Sequence, residues 1–265
     1  MSRANAWEFI RALKSQNAAL APIDPTGPSL VDRPKRLFNK LERLGFALEY
    51  TTPQTAALQS FGFEPKTVFD IGVHAGTPLI YNAFPDAHFV LADPVAECEN
   101  QVARWKDRIS MEFHCCAVGA AKGSVQVNIP TTTRRTAIAR ASVLEYAEGY
   151  RETFESVEKI EVPVRTLDDL AKGAVPPFGI KIDTEGYELE VIKGARKTLK
   201  DSEFVLAEVS VRPRFEGGYR FSEFVAEMGK QGFEPLDFMR PIRPDSSDCD
   251  LLFARYDSEL FALKG

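Results

Sequence analysis

From residue 66 onward, short apolar runs alternate with stretches whose apolar residues recur every three or four positions. That alternation predicts β-α-β units and a mainly parallel sheet. Strands are predicted at Thr67–Ile71 (TVFDI), 88–92 (HFVLA) and 109–118, separated by a helix over 78–84 and a second one whose buried stripe is Val95, Cys98, Val102 and Trp105. An insertion of about residues 123–165 follows, with strands at 124–129 and 157–164 around a loop rich in Thr and Arg. The sheet then resumes with a core strand at 179–183 (GIKID), a helix face of Leu189, Ile192, Ala195 and Leu199, and a strand at 204–209 (FVLAEV). Phe221, Phe224, Val225 and Met228 mark a further amphipathic helix. The last two strands, 233–239 and 250–254, are joined by only about ten residues, too few for a parallel crossover, so they are expected to pair antiparallel. The expected architecture is an α/β fold with a seven-stranded, mostly parallel sheet carrying one antiparallel strand.

Ahead of this pattern the chain reads differently. Leu37, Leu41, Leu44 and Leu48 recur at helical spacing, with Pro34 and Pro53 placed where a first helical turn tolerates proline. Residues 1–62 are therefore predicted to be a helical extension and 63–265 the main domain. The extension is expected to pack on that domain, with capping of a pocket or a homodimer contact as alternatives.

Composition narrows the class of partner. The 265 residues carry 33 Lys and Arg against 38 Asp and Glu, a formal charge of -5, which is the wrong sign for a protein built around a phosphate backbone. Nucleic acid is accordingly not expected as a partner. No run approaches the roughly 18 apolar residues of a membrane-spanning helix, and charges interrupt the opening MSRANAWEFIRALKSQN where a secretory signal would be apolar. These features predict a cytoplasmic protein without a membrane partner. Cys98, Cys115, Cys116 and Cys249 show no C-x-x-C pair, so no disulfide framework or structural metal is expected, and Cys115 and Cys116 read as small buried hydrophobes on a strand.

Two constellations carry candidate chemistry. In the first, Asp70-Ile71-Gly72-Val73-His74-Ala75-Gly76 runs from a strand through D-x-G-x-x-x-G into a helix, and Asp93 stands at the end of the next strand. Glycine lets the backbone turn sharply and approach a ligand, and an acidic strand end can accept hydrogen bonds from ribose hydroxyls. Without G-x-G-x-x-G there is no spacing for a dinucleotide pyrophosphate, so a nucleoside ligand is expected. S-adenosylmethionine fits, with its ribose at Asp93, its amino acid portion near Asp70, Gly72 and Gly76, and its adenine near Ala117, Val118 and Gly119. In the second constellation, IKIDTEGYELEVIKGA (180–195), Asp183 and Glu185 leave a central strand at its carboxyl end, where ligands of open α/β sheets bind.

The run IKIDTEGYELEVIKGA, together with VRTLDDL and DIGVHAG, resembles the FkbM family of S-adenosylmethionine-dependent methyltransferases over about residues 67–255. The resemblance implies a Rossmann-like methyltransferase fold. It also implies O-methylation of a sugar or another small metabolite. Asp70, Gly72 and Gly76 match the family's cofactor loop, Asp93 its acidic strand end, and Asp183 and Glu185 its acidic pair. The chain departs from the family in having His74 where Asn is common and Asp93 where Glu is common. Asp183 and Glu185 are the expected proton acceptors, ahead of His74 and Glu208, while His114 is read as a strand residue. No ligand spacing demands a metal. The arginines 134, 135, 140, 212, 214 and 220 are candidates for an anionic group on the acceptor, with ordinary solvated charge as the alternative. A nicotinamide-dependent oxidoreductase and a non-catalytic cofactor-binding scaffold are the competing readings.

Overall fold

The structure is a computed structural model. It describes residues 54–262 apart from 133–134, 241 and 243–245, and the side chain of Arg135 is likewise left out. The helices expected in the first 53 residues, and with them the dimer contact and pocket cap, lie outside the described residues, as does Arg134.

Eleven strands are present among the described residues: β1 (Thr67–Ile71), β2 (His88–Asp93), β3 (Ser110–Cys115), β4 (Ala117–Val118), β5 (Gly123–Thr132), β6 (Arg135–Thr136), β7 (Ser156–Arg165), β8 (Phe178–Ile182), β9 (Ser202–Ser210), β10 (Phe233–Arg240) and β11 (Asp248–Arg255). The helices are α1 (Gln54–Ser60), α2 (Pro78–Ala83), α3 (Glu97–Val102), α4 (Glu148–Arg151), α5 (Leu167–Leu170), α6 (Glu188–Lys193) and α7 (Phe221–Lys230). The main sheet has seven strands in the order β10-β11-β9-β8-β1-β2-β3. Only β11 runs against the others: it pairs antiparallel with both β9 and β10, while β1, β2, β3, β8 and β9 are mutually parallel.

The central strands are apolar on both faces because both faces are covered. Ile71, Ile180, Ile182 and Val205 belong to one core layer with Val191 and Ile192 of α6 and Phe224 of α7. Val68, Phe89, Leu91 and Leu206 belong to the opposite layer, with Ile80 of α2 and Leu58 of α1. Although α1 falls inside the predicted extension, its one buried residue is thus part of the main-domain core.

Two predicted elements break where backbone geometry requires it. The third strand does not continue to residue 118: Cys116 N keeps one last bond to the Asp93 carbonyl of β2 but also turns back to the His114 carbonyl, and the chain then leaves the main sheet to pair with β7. Cys116 is buried, but Cys115 is exposed at the strand's end rather than buried as its apolar neighbours suggested. The helix predicted over 189–199 stops at Lys193. A Cβ at Gly194 would lie 2.1 Å from the Gly119 carbonyl oxygen, so the chain bends there, and the Asp168 carboxylate takes up the amides of Lys197 and Thr198 to start a separate 3₁₀ turn.

The insertion forms a second sheet, in the order β4-β7-β5-β6. β5 and β7 pair over nine residues, and Val95, Cys98, Ala117, Val127, Ile129, Val162 and Val164 make a separate core beneath it. Its connecting segment, expected to be a plain loop, contains β6 and a 3₁₀ turn at Ile138–Arg140.

Candidate active site

The carboxyl ends of β1, β2, β8 and β9 converge on a cavity of about 290 Å³ whose lining includes Gly72, His74, Asp93, Ala117, Val118, Asp183, Glu185 and Glu208. Six of the eight residues singled out from the sequence therefore face one space. Asp70 and Gly76 lie beneath it. The Asp70 carboxylate is fully buried and accepts from Tyr81 Oη at 2.6 Å and Thr77 Oγ1 at 3.1 Å. Burial pushes its pKa up to about 6 against these hydrogen bonds and the nearby Lys181. Gly76, at φ +98°, packs against Trp105 and Tyr81, where a Cβ would come within 2.5 Å of Trp105 Nε1. These two residues shape the turn from below.

Gly72 is required by a different contact. At φ +81°, its Cβ position lies 1.7 Å from the Asp183 carbonyl oxygen, so the ends of β1 and β8 can meet only because no side chain stands there. Gly72 N also donates to the Ala92 carbonyl at 2.9 Å, and His74 N donates to Asp93 Oδ2 at 2.8 Å. With Val95 N donating to Oδ1 at 2.9 Å, each Asp93 oxygen accepts one backbone hydrogen bond and retains further acceptor capacity. Asp93 is 6% exposed and borders the cavity. Burial raises its pKa, and the two backbone amides partly oppose that rise.

The acidic pair sits on the turn between β8 and α6, which Glu188 organises from within. One Glu188 oxygen accepts from Thr184 N at 3.0 Å and Gly186 N at 3.0 Å, and the other from Tyr219 Oη at 2.7 Å. The turn holds Glu185 in the left-handed region, φ +52°, unusual for a residue with a side chain. Asp183 has a side chain 38% exposed, with Lys181 Nζ at 3.4 Å from Oδ2. The Glu185 carboxylate is paired with the Arg214 guanidinium. Burial nevertheless raises it to about 7, Arg214 opposing and Asp183, Glu188 and Asp248 adding to the rise.

Arg214, a candidate from the sequence for an anionic group on the acceptor or for solvated charge, is instead buried among the protein's own carboxylates. It is 9% exposed and bonds Glu185, Glu208 at 3.2 Å and Asp248 at 3.1 Å. Arg240 continues the network to Glu208 at 2.8 Å, Asp248 at 2.6 Å and Asp250 at 3.0 Å. The Arg214 guanidinium is thus engaged by this protein's own carboxylates, and the acceptor anion considered for it has three internal competitors. Buried Lys181 belongs to the same cluster. Burial would lower its pKa, but the surrounding carboxylates of Asp183, Asp250, Glu208 and Asp70 raise it overall. Glu208 is pushed up to about 8 by burial and by Asp183, Asp248 and Glu185. Six carboxylates around three cations leave this region short of positive charge. Arg214 carries no sequence signal of such a role: it follows β9 in an irregular segment, and its partners come from three separate parts of the chain.

An open, mostly parallel α/β sheet with a glycine turn after β1, an acidic end on β2 and an acidic pair at the carboxyl edge of β8 defines a nucleoside-cofactor-binding protein of the doubly wound class. Residues 70–235 match the Methyltransferase FkbM domain, well over half of the chain, and the protein belongs to that family. It is an S-adenosylmethionine-dependent methyltransferase. The family assigns methyl transfer, not the hydride transfer of the oxidoreductase reading. No curated protein matches the sequence. Among solved structures, the chain is similar to an O-methyltransferase from Bacillus cereus in complex with SAH (12% identity, 91% of this chain and 96% of that one, TM-score 0.43). It is also similar to magnesium protoporphyrin IX methyltransferase from Synechocystis PCC 6803 with bound SAM (10%, 88% and 86%, TM-score 0.42). A third is the 1,6-didemethyltoxoflavin-N1-methyltransferase of Burkholderia thailandensis (15%, 89% and 93%, TM-score 0.39). Among the described residues no helix is long and apolar enough to cross a membrane.

The cavity suits the cofactor. It offers an apolar wall of Ala92, Cys116, Ala117, Val118, Val127 and Ile138 beside the Asp93 carboxylate, a combination that matches a flat base next to a pair of hydroxyl donors.

Proposed function

We propose that this protein methylates a hydroxyl oxygen of a sugar or a comparable small metabolite. In this reading Asp93 and the glycine turn at Gly72 hold the cofactor, with Ala117 and Val118 against its base. Bound S-adenosylmethionine supplies a sulfonium-activated methyl group. Asp183 carries the reading, because it is the carboxylate of the acidic cluster that combines exposure to the cavity with freedom from the arginine network. Its oxygen is available to accept the hydrogen bond, and then the proton, of an acceptor hydroxyl.

The remaining residues orient and enclose. Lys181 steers Asp183 from behind, Arg214 fixes Glu185, and the apolar wall with the Ile138–Val143 segment limits water around the reacting atoms. Glu185 and Glu208 add acceptors on the same side, an arrangement that favours a partner rich in hydrogen-bond donors, as a polyol is. The N/D-P-P-Y/F tetrapeptide that holds a planar nitrogen is absent from the sequence, which also favours oxygen.

The test uses purified protein with S-adenosylmethionine and a panel of sugars and hydroxylated metabolites, with products read as methylated species by mass spectrometry. Asp183→Asn should lower kcat by about 10²–10³, within the usual range for a lost acid-base group, and leave S-adenosylhomocysteine binding intact. Asp93→Ala should weaken that binding at least tenfold. Methylation at nitrogen, or unaltered turnover by Asp183→Asn, would refute the assignment.

A further inference from the structure

The insertion supplies one wall of the cofactor cavity through Ile138, Ala139, Ala141 and Val143. This wall is a short segment that begins with the 3₁₀ turn at Ile138–Arg140, and the buried Ser142 hydroxyl joins it to the acidic turn. Ser142 is 1% exposed. Its Oγ donates to the Glu185 carbonyl at 2.7 Å and accepts from Leu144 N at 3.0 Å. Behind it, Asn128 of β5 exchanges both backbone hydrogen bonds with Ser142, at 2.7 and 3.0 Å. The Asn128 side-chain amide also donates to the carbonyls of Ser142, Val143 and Leu144.

The residue that receives this hydrogen bond is the one held at φ +52°. A left-handed conformation at a non-glycine residue persists only where its surroundings over-determine it. Glu185 is held at two points: Arg214 takes its carboxylate and Ser142 its carbonyl. The same insertion also donates Ala147 N to the Arg214 carbonyl at 2.9 Å.

We propose that Ser142 is a positioning residue that couples the wall of the cofactor cavity to the acidic turn, so that cofactor affinity depends on its hydroxyl. The inference rests on the reading of this cavity as the cofactor site. Removing the hydroxyl leaves the Glu185 carbonyl without its donor and Leu144 N without its acceptor. The wall then stays pinned to β5 through Asn128 but loses its tie to the acidic turn, and apparent affinity falls in proportion to the binding-competent fraction that remains. The loss of one such buried hydrogen bond shifts that equilibrium by about tenfold, which is the upper bound on the loss of affinity.

The experiment is calorimetric titration of the full chain with S-adenosylhomocysteine, comparing wild type, Ser142→Ala and Ser142→Thr, with Tm recorded for each. Ser142→Ala should bind more weakly by a factor of about three to ten, and Ser142→Thr, which keeps the hydroxyl, should recover most of the loss. Unchanged affinity in Ser142→Ala, even with a lowered Tm, would show a merely structural role and overturn the proposal, as would equal weakness in both variants. Should Ser142→Ala not fold, amide hydrogen exchange on the wild type decides. Cofactor-product binding must slow exchange at Ser142 and Leu144, and no change there would sink the idea. Wild-type protein that fails to bind S-adenosylhomocysteine would overturn the cofactor-site reading itself, whereas wild-type binding with an unaffected Ser142→Ala removes only this inference.

Discussion

Replacing Arg214 by Met removes the cation that joins three chain segments. Its side chain is 10% exposed, and those of its partners Glu185, Glu208 and Asp248 are 14%, 18% and 13% exposed, so solvent screens these pairs weakly. Breaking a buried pair by removing one partner costs about 3–5 kcal/mol. Here Glu208 and Asp248 keep Arg240, and only Glu185 loses its guanidinium outright, which places the loss near the lower end, about 3 kcal/mol at pH 8. For a domain of this size that is a fall in Tm of about 6–12 °C.

The pH dependence has a definite sign. Glu185 and Glu208 already stand at about 7 and about 8, above the ordinary carboxylate value of 4.5. A raised carboxyl binds its proton more tightly in the native state, so its contribution to stability is fully present below the unfolded pKa and is lost as pH rises through the folded one. Without Arg214 both groups rise further, and the loss continues to higher pH than in the wild type. The deficit of Arg214→Met should therefore grow from about 1 kcal/mol near pH 5 to about 3 kcal/mol near pH 8. Urea denaturation of both proteins at pH 5, 7 and 8 measures it. A deficit independent of pH, or one below about 1 kcal/mol at pH 8, would refute the account of this cluster.

Gly72→Ala should destabilise severely, since its Cβ would lie 1.7 Å from the Asp183 backbone oxygen at a φ of +81°; circular dichroism and loss of S-adenosylhomocysteine binding together check this, and near-wild-type behaviour of the variant would contradict the contact. Asp70→Asn keeps an acceptor for Tyr81 but removes a carboxyl raised from 3.8 to about 6. Wild-type stability should decline between about pH 4 and 6 through this group, and the variant should lack that part of the slope in denaturation midpoints across the range.

The strands of the main sheet were legible because each central strand is a mostly apolar run bounded by turn residues, and the antiparallel end was legible because the connection between the last two strands is too short for a crossover. Asp93, Asp183 and Glu185 were legible as well, since the carboxyl edge of a parallel sheet gathers strand-end residues in one place. Breaks were harder to see. The third strand ends at Cys115 because the next residues pair with β7, and the helix after Glu188 ends at Gly194, which packs against Gly119; both partners come from elsewhere in the chain.

The local order of apolar and polar residues determined the alternation of strands and helices, the class of fold and the strand ends that carry the acidic groups. Tertiary structure alone decided that Asp70 and Gly76 support the turn from beneath and that Arg214 is enclosed by three carboxylates. It alone also made the insertion's Ser142 reach Glu185 across 43 positions of sequence. Periodicity reports which face of an element is buried. Which polar groups meet there depends on how separate elements are brought together, and burial then sets the strength of those meetings by removing the water that would otherwise screen them.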